Sequence, residues 1–197
     1  MAFHAKVVPL TLCSLFSRTY ASGNVCAGLT ASVTIGFVYG LVKGRVFSKL
    51  DSVPGKVRFI KKNYVLAFLS TLGLALCGVR EVGQFIGSPR VLAGLATLFS
   101  GLVASTVAFQ FYQLPNLVSS TEWPDHSAVS LSLLDALAFF ATAQILNINT
   151  IILGHHGWTA SWTFMAMIFG IGGALMMKAI PSVLTKVQST STRLKAE

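Results

Sequence analysis

One segment of the chain, residues 24–44, carries a small residue at every fourth position. These residues are Gly28, Ser32, Gly36, Gly40 and Gly44. Within this segment no charged residue precedes Lys43, and roughly 20 apolar residues cross a bilayer core as a helix. Helical residues four apart form one slanting stripe. Such a stripe lets a second helix backbone approach closely, and in lipid this contact replaces the hydrophobic drive. The segment therefore predicts a membrane helix with a packing face.

The composition agrees with a membrane location. Hydrophobic residues make up 53% of the 197-residue chain, and charged residues only 11%, against roughly 25% charged in ordinary soluble domains. We predict an all-α polytopic membrane helix bundle of four or five transmembrane helices with small-xxx-small packing faces. After the first span, further spans are expected over residues 64–86, 91–112, 128–153 and 158–180.

The third predicted span contains a second stripe of small residues with the same spacing. Its members are Ala93, Thr97, Gly101 and Ser105. Two such stripes in one chain could meet each other, because each removes side-chain bulk from one face of its helix. We therefore assign both stripes a helix-packing role.

The first residues, 1–22, contain Lys6 and Arg18, several hydroxyl side chains and no acidic residue. This composition is typical of a mitochondrial targeting segment. We expect the mitochondrial inner membrane, with a plastid or another membrane as the alternative, and a targeting-like segment that is retained. The transmembrane domain is predicted over residues 23–182, and a basic C-terminal tail over residues 183–197.

The segment after the first span is strongly basic and is expected to be a loop with a turn at Pro54-Gly55. Its basic residues are Lys43, Arg45, Lys49, Lys56, Arg58, Lys61 and Lys62, and its only acidic residue is Asp51. Such a loop sets topology through the positive-inside rule and suits anionic lipid headgroups. We therefore expect anionic phospholipids, and not nucleic acid, to account for the net charge of +9.

Five spans place the N-terminus in the intermembrane space and the C-terminus in the matrix, with the basic loop also on the matrix side. The alternative is a four-span arrangement in which the last two segments form one re-entrant unit.

Polar residues interrupt two of the predicted spans. Arg80 and Glu81 lie in the second span, and Asp135 and Asn147 lie in the fourth. Such side chains are costly at membrane depth and usually find partners on neighbouring helices. We interpret them as intramembrane polar anchors, with a proton or transport role as the alternative.

No pattern in the sequence indicates catalysis. There is no phosphate-binding glycine loop, nucleophile elbow or pair of carboxylates. Glu122, Asp125 and His126 share one loop, but a loop of this kind is usually only solvated. We predict no enzyme activity, no metal, no small-molecule substrate and no cofactor, although a bound phospholipid such as cardiolipin is compatible with the basic loop. Pigment binding by His155 and His156 is a third alternative.

The order of motifs resembles the mitochondrial preprotein-translocase channel family. The resemblance rests on Lys62-Asn63 entering a span, then Gly73, Cys77 and Arg80-Glu81, a short turn and a glycine-rich span, and it covers residues 24–111. It implies four spans with small-residue stripes, and the family includes an accessory subunit of respiratory complex I. A fifth span and the missing acidic cavity residues depart from the family pattern and favour a structural role.

The predicted function is therefore a non-catalytic accessory subunit of a mitochondrial inner-membrane respiratory complex, with complex I first. It would stabilise assembly through helix packing and lipid contacts with other membrane subunits. The alternatives are a subunit of the ATP synthase membrane region, and an import-channel component or small-solute transporter. Transport would require Arg80, Glu81, Asp135 and Asn147 to face one another around a polar cavity.

Overall fold

A computed structural model describes residues 23–50 and 52–194, with side chains described over 27–50, 52–111 and 113–186. This part of the chain is built from helices, without strands. In chain order they are α1 (Gly23–Ser48), α2 (Val53–Leu76), α3 (Arg80–Ile86), α4 (Pro89–Glu122), a 3-10 turn (Pro124–His126) and α5 (Ser127–Leu194). The segment predicted as targeting-like, residues 1–22, lies outside the described residues.

Within the described residues, four helical stretches are long and apolar enough to cross a membrane. They are Ala27–Ser48, Val53–Leu76, Pro89–Glu122 and Pro124–Lys186. α3 has only 7 residues, which is too short to cross a bilayer as a helix.

α5 is a hairpin of two antiparallel arms and not one straight helix. Its backbone is non-helical at Gly157, where φ is 79° and ψ is −171°. The Nζ of Lys186 lies 2.8 Å from Oε2 of Glu122, whereas a straight helix over the intervening residues would be about 95 Å long. We call residues 127–156 the first arm and residues 158–194 the second arm. The left-handed φ at the reversal favours glycine, because a Cβ would be strained there.

α1 and α4 run parallel and in direct contact, and α2 packs against both in the opposite direction. The second arm covers α2, so that Trp158 lies beside Gly78 and Tyr64 lies beside Gly173. One buried cluster near the start of α1 and α4 contains Leu29, Leu74, Cys77, Leu92, Ala93 and Ala96. The cluster at the other end contains Phe47, Ile60, Phe109, Leu114, Ile180 and Leu184. The bundle thus has an apolar core at each end.

The second span is shorter at its C-terminal end than predicted. α2 ends at Leu76, and Arg80 and Glu81 belong to the separate helix α3. The amide of Gly78 bonds the carbonyl of Ala75 at 3.1 Å, which leaves the Leu74 carbonyl to accept the Trp158 indole N–H at 2.6 Å. A long-range contact therefore replaces the bond that would have continued the helix. The prediction of one span through Ile86 is wrong.

The basic segment is mostly helical, so the predicted loop is wrong. α1 continues through Lys43 and Arg45 to Ser48, and α2 begins at Val53. Ser52 caps α2, because its hydroxyl accepts the Gly55 amide at 3.2 Å. Pro54 falls in the first turn, where its missing amide costs no helical hydrogen bond. Pro54-Gly55 therefore starts a helix and does not form the predicted turn.

Two further predicted span ends are also wrong, and in each case the helix continues through a proline. α4 continues through Pro115 to Glu122, so most of the loop expected over residues 113–127 is helical. The second arm continues through Pro181, beyond the span end expected at Ile180. Ile180 and Leu184 are both buried at 1% exposure in the same cluster. Packing on both sides of Pro181 holds the helix together although the ring removes one backbone hydrogen bond.

Candidate functional site

The two small-residue stripes lie against each other along α1 and α4. A Cβ built on Gly36 would collide with the backbone carbonyl of Gly101, and one built on Gly40 would collide with the carbonyl of Ser105. A Cβ on Gly101 would in turn meet the hydroxyl of Ser32. Only glycine permits two backbones to come this close.

Hydroxyl groups join the same two helices. The hydroxyl of Ser32 donates to the carbonyl of Thr97 at 2.8 Å. The hydroxyl of Thr97 donates within its own helix to the carbonyl of Ala93 at 2.8 Å, and Ala93 is buried. At the two ends of the first stripe the contacts differ. Gly28 is exposed, with nothing within 4 Å of a built Cβ, whereas Gly44 lies against the side chain of Gln113.

Lys43 joins three helices at the end of this contact. Its ammonium group donates to Asn63 Oδ1 on α2 and to the Ser105 hydroxyl on α4, each at 3.1 Å. It also lies 5.2 Å from the centroid of the Tyr39 ring. Because Asn63 is 6% exposed, this ammonium group satisfies the carbonyl oxygen of a buried side chain. Lys43 was predicted as a headgroup contact, and the structure places its charge in a polar link between helices.

The remaining basic residues of the segment lie either along a groove on α2 or around the junction of α1 and α2. Arg58, Lys61 and Lys62 are exposed and line a groove on α2 of about 450 Å³. Lys56 lies over the Phe47 ring at 5.8 Å, while Arg45 and Lys49 are exposed at the end of α1. A second groove of about 250 Å³ lies between α1 and α2 and shares Lys62 and Leu66 with the first. The basic end of the bundle therefore has open apolar grooves with cationic edges.

The residues predicted as polar anchors do not come together. Arg80 and Glu81 are exposed on α3, which lies outside the described stretches that are long and apolar enough to cross a membrane. Asp135 is half-buried and Asn147 is exposed, both on the first arm. Within the described part of the chain, no hydrogen bond or ion pair joins any two of these residues.

The first arm stands apart from the rest of the bundle. None of the residues 127–157 is buried. Several large apolar side chains are exposed on it, namely Val129, Leu133, Leu137, Phe139, Phe140, Ile148 and Ile151. Gln144 and Asn147 are exposed among them. This arm contacts the bundle only along a partly covered face, through contacts such as the Phe111–Phe139 ring pair at 5.6 Å.

Of the candidate ligand residues, one forms an ion pair and the others are exposed. Glu122 pairs with Lys186, and Asp125 and His126 are exposed in the 3-10 turn. His155 and His156 are exposed at the hairpin end, with ring centroids 6.4 Å apart. Over residues 23–50 and 52–194, no cluster of three or more potential metal ligands occurs. Cys77 is 7% exposed, and its burial raises the pKa of the thiol.

Sequence reasoning missed the Lys43–Asn63–Ser105 link and the indole bond of Trp158 to Leu74. Both join residues at least 20 positions apart, and no local spacing predicts such pairs. It also missed the grooves. The basic and aliphatic residues between positions 58 and 69 have helical spacing, but the prediction divided them between a loop and a span. Comparison of the chain with protein-family models, curated proteins and solved structures finds no match.

Proposed function

We propose that this chain is a non-catalytic multi-span accessory subunit of a mitochondrial inner-membrane respiratory complex, with complex I first. In this proposal its apolar helices cross the membrane, and its lateral surface packs against other membrane subunits. The observation that carries the proposal is the first arm of α5, which buries none of its residues within this chain.

The exposed amides on this arm favour a protein partner over lipid alone. Gln144 and Asn147 lie one helical turn apart on the arm, and both are exposed. An amide facing acyl chains has no hydrogen-bond partner, whereas a neighbouring helix can supply one. Because no described residue of this chain bonds these amides, the partner we propose is a helix of another subunit.

The contact of α1 with α4 supports a membrane setting for the bundle. Gly36, Gly40 and Gly101 bring backbone against backbone, which is the means by which membrane helices associate without a hydrophobic drive. In the proposal these stripes stabilise the subunit itself, and the first arm makes the contact with other subunits.

The assignment to the mitochondrion rests on the sequence. Residues 1–22 have the basic, acid-free composition of a targeting segment. The resemblance of residues 24–111 to the preprotein-translocase channel family, with its complex I accessory branch, supports the same membrane. A transporter is the less supported alternative, because Arg80, Glu81, Asp135 and Asn147 are not brought together around a cavity.

Gentle detergent extraction, native-gel separation and mass spectrometry of the co-migrating proteins test the proposal. We expect the chain in a large respiratory assembly. The variant Gln144→Leu/Asn147→Leu should lower the co-migrating fraction about fivefold or more, since each interhelical hydrogen bond in a membrane contributes roughly 0.6–2 kcal/mol.

The matched control is Ser132→Ala/Thr150→Val on the same arm. Those hydroxyls are exposed but donate to their own helix, at 3.0 Å to Ala128 and 2.8 Å to Leu146. The control should assemble as the unmodified chain does. Migration of the unmodified chain alone would contradict the proposal, and migration with import receptors would favour the channel alternative.

A further inference from the structure

A stripe of six residues on α2 combines positive charge and apolar surface. Arg58, Lys61, Lys62, Val65, Leu66 and Leu69 line one groove of about 450 Å³. Their successive spacings alternate between three residues and one, which places them on a single helical face.

The chemistry of the stripe changes along the helix. The three cations come first, near the start of α2, and the three aliphatic residues follow toward its middle. A glycerophospholipid has the same order, with a phosphate at one end and acyl chains at the other. Basic residues beside an apolar helix attract anionic headgroups, and their aliphatic stems pack on apolar surface.

The cations of this stripe are available to a ligand. Arg58, Lys61 and Lys62 are exposed, and no carboxylate pairs with any of them among the described residues. The neighbouring Lys43 differs, because its ammonium group is bonded to Asn63 and Ser105. The free charges of the stripe therefore have no counterpart within this part of the chain.

α1 supplies a second wall. The adjoining groove of about 250 Å³ is lined by Tyr39, Val42 and Val46 from α1, and it shares Lys62 and Leu66 with the stripe. Tyr39 is 57% exposed, and tyrosines are enriched at the headgroup level of membranes. The two grooves together form a surface with a cationic end and aliphatic walls.

We propose that this surface binds one anionic glycerophospholipid. Its phosphate lies among Arg58, Lys61 and Lys62, and one acyl chain lies along Val65, Leu66 and Leu69. The inference requires that the chain lies in a membrane, but not that it belongs to a larger complex. Its failure and the failure of the proposed function are therefore distinguishable.

Native mass spectrometry of the full chain in neutral detergent tests this site. After delipidation, dioleoyl phosphatidylglycerol or dioleoyl phosphatidylcholine is added. We expect one bound phosphatidylglycerol per chain and at least tenfold weaker binding of phosphatidylcholine. Arg58→Gln/Lys61→Gln/Lys62→Gln should weaken phosphatidylglycerol binding about tenfold to a hundredfold, because each headgroup cation contributes to the attraction.

The matched control removes the same charges elsewhere. Arg80, Arg90 and Lys178 are all exposed and line neither groove. Their triple glutamine variant should retain phosphatidylglycerol within about threefold of the unmodified chain. An equal loss of phosphatidylglycerol binding in the two triple variants would show that only net charge matters, and would overturn the site.

A second pair of variants tests the acyl-chain wall. Leu69 and Leu98 are each 55% exposed, but only Leu69 lines the groove. Leu69→Gln should weaken lipid binding about threefold to tenfold, and Leu98→Gln should leave it unchanged. Glycerol 3-phosphate, which lacks acyl chains, should not compete. Competition at equal concentration would indicate a site for soluble phosphate and would overturn the lipid assignment.

Discussion

Two regions of the molecule, the contact between α1 and α4 and the first arm of α5, are both apolar and helical. The first is in close contact within the chain, and the second is left uncovered by it. In α1, Gly36 and Gly40 lie against the backbone of α4, and Ser32 adds a hydroxyl bond. The first arm has large aliphatic and aromatic residues instead and buries none of them. Hydropathy alone does not separate the two, whereas the small residues identify the helix that packs within its own chain.

The largest predicted effect comes from placing large side chains at the contact between α1 and α4. Gly36→Leu/Gly40→Leu places side chains where backbone carbonyls already lie. We expect a loss of up to about 6 kcal/mol for the pair, since overpacking costs about 1–3 kcal/mol per site. Unfolding by SDS in mixed micelles, followed by tryptophan fluorescence, measures it.

The control for this variant is Gly28→Leu/Gly94→Leu, because a Cβ at either position meets nothing within 4 Å. The control should unfold at the same SDS concentration as the unmodified chain. Equal stability of both double variants would show that the close approach of the two helices contributes nothing.

A second prediction compares two phenylalanines. Phe109 is 0% exposed and Phe140 is 67% exposed. Phe109→Ala removes a ring whose centroid lies 5.2 Å from that of Phe59 and 5.5 Å from that of Phe47, and should cost about 3 kcal/mol or more. Phe140→Ala should cost less than about 1 kcal/mol in the isolated chain. The same SDS titration measures both. A larger cost at Phe140 would mean that this ring of the first arm packs against the rest of the chain.

The third prediction concerns the polar link of Lys43. Lys43→Met leaves the buried Asn63 carbonyl oxygen without its donor and should cost about 1–2 kcal/mol. Lys49→Met, at an exposed position in the turn directly after the same helix, should change stability by no more than about 0.5 kcal/mol. Identical SDS midpoints for the two variants would argue against a structural role for the link.

The smallest effect is expected where the hairpin closes. The pair of Lys186 with Glu122 is 2.8 Å long, but its side chains are 57% and 30% exposed. Lys186→Ala should cost less than about 1 kcal/mol, with the difference falling as salt is raised. A salt-independent loss above about 2 kcal/mol would mean that the docking of the second arm on α4 depends on this pair.

The helical class, the apolar stretches and the reversal near Gly157 could be predicted from the sequence, because each depends on local composition. The end of α2 could not, because it depends on a bond from Trp158 to Leu74. Continuation through Pro181 depends likewise on the burial of Ile180 and Leu184 on either side of it. Of the candidate sites, the spacing of the small residues was visible in sequence, but the partner of each residue was not.

The parallel arrangement of α1 and α4 has a consequence for the order in which the chain is made. The bond from Ser32 to Thr97 joins residues 65 positions apart, and α2 and α3 are synthesised between them. Because synthesis runs from the N-terminus, the glycine face of α1 emerges before its partner exists. Until α4 follows, that face is open to any other helix nearby. This close backbone contact is thus one that early folding leaves unprotected.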